Sequence, residues 1–423
     1  MGQAILRGRD FRLLTISTGL SALGDWVAMV ALGLHVKELT DSGFAVAALW
    51  ICLFGPSVLT AGHAGILVDR IEATRLLAAV SAAGAVLALG LGFVDGLIPL
   101  LVLTTALGVV FSITQPAEFA LVPALVGEEH LQAANGRMET IRYIGFGIGP
   151  LLGGVLYAAG SFELAMAVDA ATFAVVACAA LALRVRRKPA ELGEGDQVPR
   201  ARDGIAVLFR ERTISLVMMV AFGSLLFMSA VWVAEVFFVE DVLGRGDIAY
   251  GAMLSVWTLG MALGAMLLST RVAVYAVASA GVAAAAVQGL ALALPAIWLS
   301  FAFYLACSFA GGVAHGLKNV MFRSLIHLRV PEDLHGRAFA AYNGIRNSAE
   351  LGAFAAGGLL VATVGARGTI AYAGGLSALV GAIGLLALLR RNRGWAPTDP
   401  IGQPTSTEPA AEPPAASRLP ADR

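Results

Sequence analysis

Uncharged, predominantly apolar runs of about twenty residues recur along the chain, separated by short stretches where Arg, Asp and Glu collect. A hydrocarbon core about 30 Å thick is crossed by about 20 apolar residues in a helix, so each run predicts one membrane span. Twelve spans follow, near residues 12–35, 43–67, 74–94, 97–125, 131–159, 162–184, 213–238, 247–270, 272–293, 296–322, 336–364 and 368–389. The uncharged run 272–314 is too long for one span and is divided at Leu294-Pro295. The largest polar interruption, RVRRKPAELGEGDQVPRARDGIAVLFRER from Arg184 to Arg212, divides the spans six and six and reads as a linker. The tail after Arg393 spreads Pro and Ala among Thr, Ser and Glu; it cannot bury a core and is expected to be disordered.

Composition agrees with this pattern. The chain is 58% hydrophobic and 14% charged, with a mean hydropathy of +0.79, far outside the range of soluble domains. Its formal net charge is zero, which argues against a nucleic-acid partner. The placement of the charges is more informative. Twelve spans with both termini inside put twenty Lys and Arg in the cytoplasm, Arg7, Arg70, Arg75 and Arg271 among them, and leave only Lys37, Arg245 and Arg367 opposite. That asymmetry is what the positive-inside rule requires. Cys52, Cys178 and Cys307 all fall inside spans and suggest packing rather than a disulfide or metal framework. The first span is long, lacks a small-residue cleavage site and reads as a retained anchor. Three Lys against 26 Arg, with heavy use of Ala and Gly, hint at a GC-rich bacterial genome.

Sliding the chain by 204 residues lays Glu128 on Glu332, Arg142 on Arg346 and Gly153-Gly154 on Gly357-Gly358. The match is weak but ordered, and it relates the fifth span to the eleventh, as two six-helix halves in parallel orientation would require.

Four charges crowd into GILVDRIEATR, Gly65 to Arg75, between the second and third spans. This segment resembles the loop signature G-x-L-x-D-R-x-G-R of the major facilitator superfamily: Gly65, Leu67, Asp69 and Arg70 match, and Arg75 can fill the second basic role. Glu72 stands where the signature has Gly, which puts the tight turn in question. The resemblance implies a cytoplasmic gate loop in which the carboxylate and basic groups latch helices together when the cavity opens outward. The counterpart after the eighth span, GAMLLSTR from Gly264 to Arg271, keeps a Gly and an Arg but lacks the carboxylate. In the fifth span, GFGIGPLLGG fails as a nucleotide-binding motif because Pro150 occupies the third Gly position and no strand precedes it. Gly145, Gly149 and Gly153 share a helix face suited to close packing, and Pro150 removes a backbone hydrogen bond. With Gly154, the run is similar to the superfamily's exporter signature, which implies export.

An ionisable residue in a span costs about 2.5 to 3.5 kcal/mol near the bilayer centre and marks a candidate site. Asp25 lies near mid-membrane in the first span and resembles the helix-1 acidic position of the superfamily's drug and macrolide exporters. Glu139 with Arg142, and Arg346 with Glu350, are spaced to share helix faces and either neutralise each other as structural ion pairs or serve in the cavity, with Glu139 or Glu350 exchanging its Arg for a proton or a cationic substrate. Glu118 and Asp169 are candidates to face the cavity. The block around Glu118 resembles the family run P-A-R-x-x-x-x-P-x-L-V with Glu in place of Arg, and no Arg occurs between Arg75 and Arg137. Glu235 reads as an interfacial residue rather than a ligand, and Lys318, which shares a face with His315, either snorkels to the cytoplasmic interface or binds a ligand. The tryptophans Trp26, Trp50, Trp232, Trp257 and Trp298 read as interface or packing residues.

The resemblance therefore implies an all-α membrane protein of twelve transmembrane helices in two six-helix bundles, 1–184 and 213–392, joined by a cytoplasmic linker, 185–212, with a tail, 393–423. The expected function is proton-coupled efflux of a small lipophilic or amphipathic compound such as a drug, macrolide, siderophore or natural product. Nutrient import is the alternative within the family, and a receptor or scaffold the alternative outside it. No HExxH, GxSxG or clustered His/Cys site suggests an enzyme. We expect no cofactor and no metal. The expected partners are the lipid bilayer, protons and a small-molecule substrate, with the chain a monomer in the bacterial inner membrane.

Overall fold

The computed structural model describes residues 8–185, 201–331 and 334–391. Residues 186–200 of the expected linker, Glu332 of the repeat and the tail 393–423 lie outside the described residues. Every regular element described is helical: α1 (Arg9–Thr40), α2 (Gly43–Arg70), α3 (Ala73–Leu91), α4 (Leu97–Val126), α5 (Leu131–Ala158), α6 (Phe162–Ala182), α7 (Ala201–Arg210), α8 (Arg212–Phe237), α9 (Asp247–Leu263), α10 (Val277–Ala293), α11 (Phe301–Arg329) and α12 (His335–Arg391). Ten stretches are long and apolar enough to cross a membrane. One of them, Arg337–Arg390, is two spans, because α12 folds back at Gly365 into arms 335–364 and 366–391. The helix α11 falls outside the ten; its His315, Lys318, Asn319 and Arg323 lower its hydropathy, although at 29 residues it is long enough to cross. With α7 set aside as the short helix within the linker, the architecture is twelve long helical segments.

Gly365 adopts φ 71° and ψ 173°, a region that an L side chain enters only at a cost of about 1–3 kcal/mol. Gly365→Ala is expected to destabilise the fold by about that amount, read as a lowered melting temperature. Gly375→Ala, at a position with open space and ordinary backbone, is the neutral comparison.

In lipid, apolar surface alone does not drive helices together, so close contact depends on small residues. The glycines carry this role here. A methyl group added at Gly145 would lie 2.7 Å from the Gly19 carbonyl oxygen of α1, and one at Gly153 would lie 2.8 Å from that of Val27. The second half repeats the arrangement: a methyl at Gly357 would lie 2.7 Å from the Ala230 carbonyl oxygen on α8. The adjacent glycines face the opposite half. Gly154 meets Asp247 and Gly251 of α9, and Gly358 meets Gly43, Phe44 and Ala47 of α2. The 204-residue offset thus relates equivalent helix contacts.

These two crossings, α5 with α9 and α2 with the first arm of α12, join the halves. One face of the protein collects the Arg-rich ends, including exposed Arg70, Arg75, Arg271 and Arg390; the other carries Lys37. The joining contacts concentrate between mid-height and the Lys37 face. Leu151 N–H donates to Ser255 Oγ at 2.9 Å, Thr258 Oγ1 donates to the Phe146 carbonyl at 2.7 Å, and the Phe54 and Phe354 rings stack at 5.9 Å. Lys37 closes the outermost layer, 2.9 Å from Glu240 and 2.7 Å from Asp241. Towards the Arg-rich face, Gly136 of α5 and Gly344 of α12 have open space beside them. The halves are closed at the Lys37 face and parted at the Arg-rich face.

Candidate functional site

Two of the cavities inside the bundle carry ionisable groups of different chemistry. The first belongs to the N-terminal half, has a volume of about 140 Å³, and is lined by Thr18, Ser21, Asp25, Gln115, Glu118 and Arg142 with neighbouring apolar groups. Asp25 lies sixteen residues from Arg9 and fifteen from Thr40, about 24 and 22 Å along the helix, and hence at mid-height. Glu118 of α4 is 4% exposed and Asp169 of α6 is fully buried. Asp169 packs on α1 at Gly24, where an added methyl would lie 2.9 Å from its Oδ1. Neither Asp25 Oδ1 nor either Asp169 oxygen has a hydrogen-bond partner among the described residues.

Arg142 is the cation of this cavity, and it is held from several sides. Its Nη1 lies 3.4 Å from Glu139 Oε1. With the Gln115 amide oxygen turned towards it, Gln115 accepts from Nη1 at 2.6 Å and from Nη2 at 2.9 Å. The rings of Phe146 and Phe119 lie 5.6 and 5.9 Å from the guanidinium.

The second cavity, also about 140 Å³, lies between the halves but takes its polar groups from the C-terminal one: His315, Lys318, Asn319, Arg346 and Glu350. Trp26, Trp232 and Trp257 contribute aromatic walls. Arg346 Nε lies 3.4 Å from Glu350 Oε1, and Asn319 Nδ2 lies 2.9 Å from His315 Nε2. Of the two roles open to Lys318, the structure excludes the snorkelling one. Instead of snorkelling to the interface it is 2% exposed, and its Nζ has no partner among the described residues. Facing direction decides this, since a Lys two-thirds of the way along a helix reaches the interface only from a lipid-facing position.

Glu235 departs from the sequence reading. It is 3% exposed rather than interfacial, and it lines a narrow cavity with Trp26, Trp50, Trp232 and Tyr250, just inside the closed Lys37 face. Trp26 and Trp50 make edge-to-face contacts with Trp232 at 6.3 and 6.4 Å. Four of the five tryptophans singled out from sequence therefore wall the interior, while Trp298 is 66% exposed.

At the gate segment α2 continues through Gly65 to Arg70; the Asp69 side chain lies outside the described residues. Arg70 and Arg75 are exposed, and Arg75 Nε lies 3.4 Å from Glu72. Glu72 in place of Gly costs no strain, because its φ is −59°. Its carboxylate instead caps α3, accepting from the Thr74 backbone N–H at 3.3 Å. In the Gly-Pro run, Gly145, Gly149 and Gly153 face α1, and Pro150 and Gly154 approach Gly251 of α9.

Comparison with known proteins agrees with this architecture. The chain is 24% identical over 390 residues to an uncharacterised MFS-type transporter, YfiS, of Bacillus subtilis strain 168, covering 88% of this chain and 92% of that one. Its fold is similar to that of the nucleoside transporter NupG, with a TM-score of 0.73 at 14% identity over 90% of this chain and 99% of that one. It is also similar to a bacterial homologue of the lysosomal transporter Spinster in an inward-facing, unoccupied conformation, with a TM-score of 0.70 at 13% identity over 92% and 98% of the chains. The sequence profile described as Major Facilitator Superfamily matches residues 14–353. Two helical halves related by an internal repeat, an interior cavity and a profile match over most of the length place this chain in the major facilitator superfamily, as a multi-pass membrane transporter.

Proposed function

We propose that the chain is a proton-coupled exporter of small amphipathic compounds, set in a bacterial cytoplasmic membrane with its Arg-rich face and both termini inside. The observation that carries this reading is a group of three carboxylates in the interior of the first half: Glu118 and Asp169, both buried, and Asp25, half-buried at the cavity wall. Among the described residues lining the cavity that holds Asp25 and Glu118, Arg142 is the one cation, and it is shared with Gln115 and Glu139; Asp169 packs on α1 beside that cavity. Three carboxylates and one such arginine cannot all be ionised away from water without a large penalty. Taking up a proton on one face and losing it on the other relieves that penalty, and the cycle of exposure supplies the coupling.

The position of the Gly-Pro run supports the export reading. It packs α5 against α1, which carries Asp25, and against α9, which closes the Lys37 face. A change of charge at Asp25 therefore acts on the helix pair that forms the outer gate. In the cycle, the protein loads substrate in the conformation described, turns outward, exchanges it for a proton and returns. Asp69, Arg70 and Arg75 latch the cytoplasmic side in the outward state. One proton moving down 100 mV releases about 2.3 kcal/mol, enough for roughly a fifty-fold gradient at one-to-one exchange.

Inside-out vesicles with an acidified lumen provide the test. With a tritiated macrolide and a hydroxamate siderophore as tracers, vesicles containing the protein are expected to load at least one of them and to release it when the pH gradient is dissipated. Tracer leaving preloaded vesicles under the same gradient would identify an importer and overturn the reading.

A further inference from the structure

Two of the interior cavities differ in their ionisable groups: Asp25, Glu118 and Arg142 line the first, and His315, Lys318, Arg346 and Glu350 the second. In the cavity between the halves, Lys318, His315 and Arg346 face a single carboxylate, Glu350, which is already paired with Arg346 at 3.4 Å. Lys318 is 2% exposed and its Nζ has no partner among the described residues, although it could donate three hydrogen bonds. The charges that act on it are those of Arg346 and Glu350; the carboxylates of the first half line a different cavity. His315 is engaged through Asn319 at Nε2, while its Nδ1 is also without a partner among the described residues. An ammonium buried without a counter-ion is costly, and here two unused donors belong to side chains that line one cavity.

We propose that this cavity holds the substrate by an anionic group, a carboxylate or an acidic phenol, placed between Lys318, His315 and Asn319, with an aromatic body against Trp26, Trp232 and Trp257. The proposal deepens the exporter reading and rests on it only for the direction of movement. The walls support the second half of the assignment. The Trp257 ring lies 5.8 Å from that of His315, and the Trp26 and Trp232 rings meet at 6.3 Å on the other side. An apolar cavity of about 150 Å³ takes one benzene ring, so the cavity of about 140 Å³ suits one ring, with larger bodies extending towards the parted Arg-rich face. Exposed Arg323 lies five residues beyond Lys318 on α11, about 7.5 Å nearer that face, where it favours the approach of anions. Protons and substrate thus occupy separate halves: acids in the first, bases in the second.

The test is binding to the purified full chain in detergent, followed by quenching of tryptophan fluorescence, with three probes of one shape: 2-naphthoate, 2-naphthamide and 2-naphthylmethylamine. The naphthoate is expected to bind at least tenfold more tightly than the amide, and the amine more weakly than either. Lys318→Met is expected to remove the preference for naphthoate over the amide, with an unchanged melting temperature showing that the protein is still folded; Lys318→Arg is expected to keep the preference. Glu350→Gln, which removes the carboxylate, is expected to preserve or increase it. Equal binding of naphthoate and amide to the unaltered protein, tighter binding of the amine, or a naphthoate preference that survives Lys318→Met would overturn the assignment. None of these readouts requires transport, so an anion site can be established even where the vesicle experiment identifies an importer.

Discussion

Asp25→Asn is expected to abolish the pH-gradient-driven accumulation of tracer in inside-out vesicles, taking the gradient from as much as fifty-fold at 100 mV to none. The side chain is held at mid-height on α1, in the same cavity as Glu118 and Arg142, with its Oδ1 unpartnered among the described residues. The amide keeps the shape and the hydrogen-bonding capacity of a protonated carboxyl but can neither release nor take up a proton. Downhill equilibration of tracer is expected to persist, because the substrate cavity draws its polar groups from the other half. The melting temperature is expected to hold or rise, since a carboxylate with a buried, unsatisfied oxygen is removed. Asp95→Asn, in the exposed turn between α3 and α4, is expected to leave coupling intact. Retained gradient-driven loading in Asp25→Asn would move the coupling proton elsewhere in the trio or out of it.

The second large effect is expected at the outer gate. Gly154 and Gly251 form the tightest crossing between the halves: a methyl on Gly154 would lie 2.6 Å from the Asp247 carbonyl oxygen, and one on Gly251 would collide with that of Pro150. Backbone cannot move aside as a flexible side chain can. Overpacking of this kind costs about 1–3 kcal/mol, and here the cost falls on the conformation closed at the Lys37 face. Gly154→Val and Gly251→Val are therefore expected to shift the equilibrium outward by about 5- to 150-fold. A cysteine introduced at Val30, which lines the narrow cavity under the gate, reports this in a background lacking the three native cysteines. Labelling by an impermeant maleimide from the Lys37 side is expected to accelerate by the same factor. Unchanged labelling would show that α5 and α9 do not form the gate.

The spans were legible because the bilayer imposes length and polarity on each helix independently of its neighbours. Even the fold-back at Gly365 lies between the runs 336–364 and 368–389 read from hydropathy. The packing role of the Gly-Pro run was legible for a related reason: small residues at a spacing of four can serve only one helix face. The direction a polar side chain faces was not legible. Helices here are apolar all round, so the period that separates buried from exposed faces in soluble proteins is absent. For that reason Glu235 read as interfacial and snorkelling stayed open for Lys318, whereas both are buried between the halves. Glu72 illustrates a different limit. A departure from a signature suggested a disturbed turn, but the backbone there needs no glycine, and the carboxylate has become a helix cap.

The separation of the two cavities also explains the arrangement of charge in the interior. In the proposed exchange, acidic and basic cavities in opposite halves would let a proton and an anion be handled without the two competing for one cation. Arg142 and Arg346, equivalent under the 204-residue offset, then serve different partners: the first steadies the acidic cavity and the second the basic one.

Proton movement measured together with substrate movement tests the central claim most directly. Purified protein is reconstituted into liposomes containing a pH-sensitive dye, and an outward gradient of the tracer established in vesicles is imposed with no initial pH difference. The account predicts that protons enter the lumen as tracer leaves, and that Asp25→Asn carries tracer without this movement. Protons leaving with the tracer, or no proton movement in the unaltered protein, would contradict it.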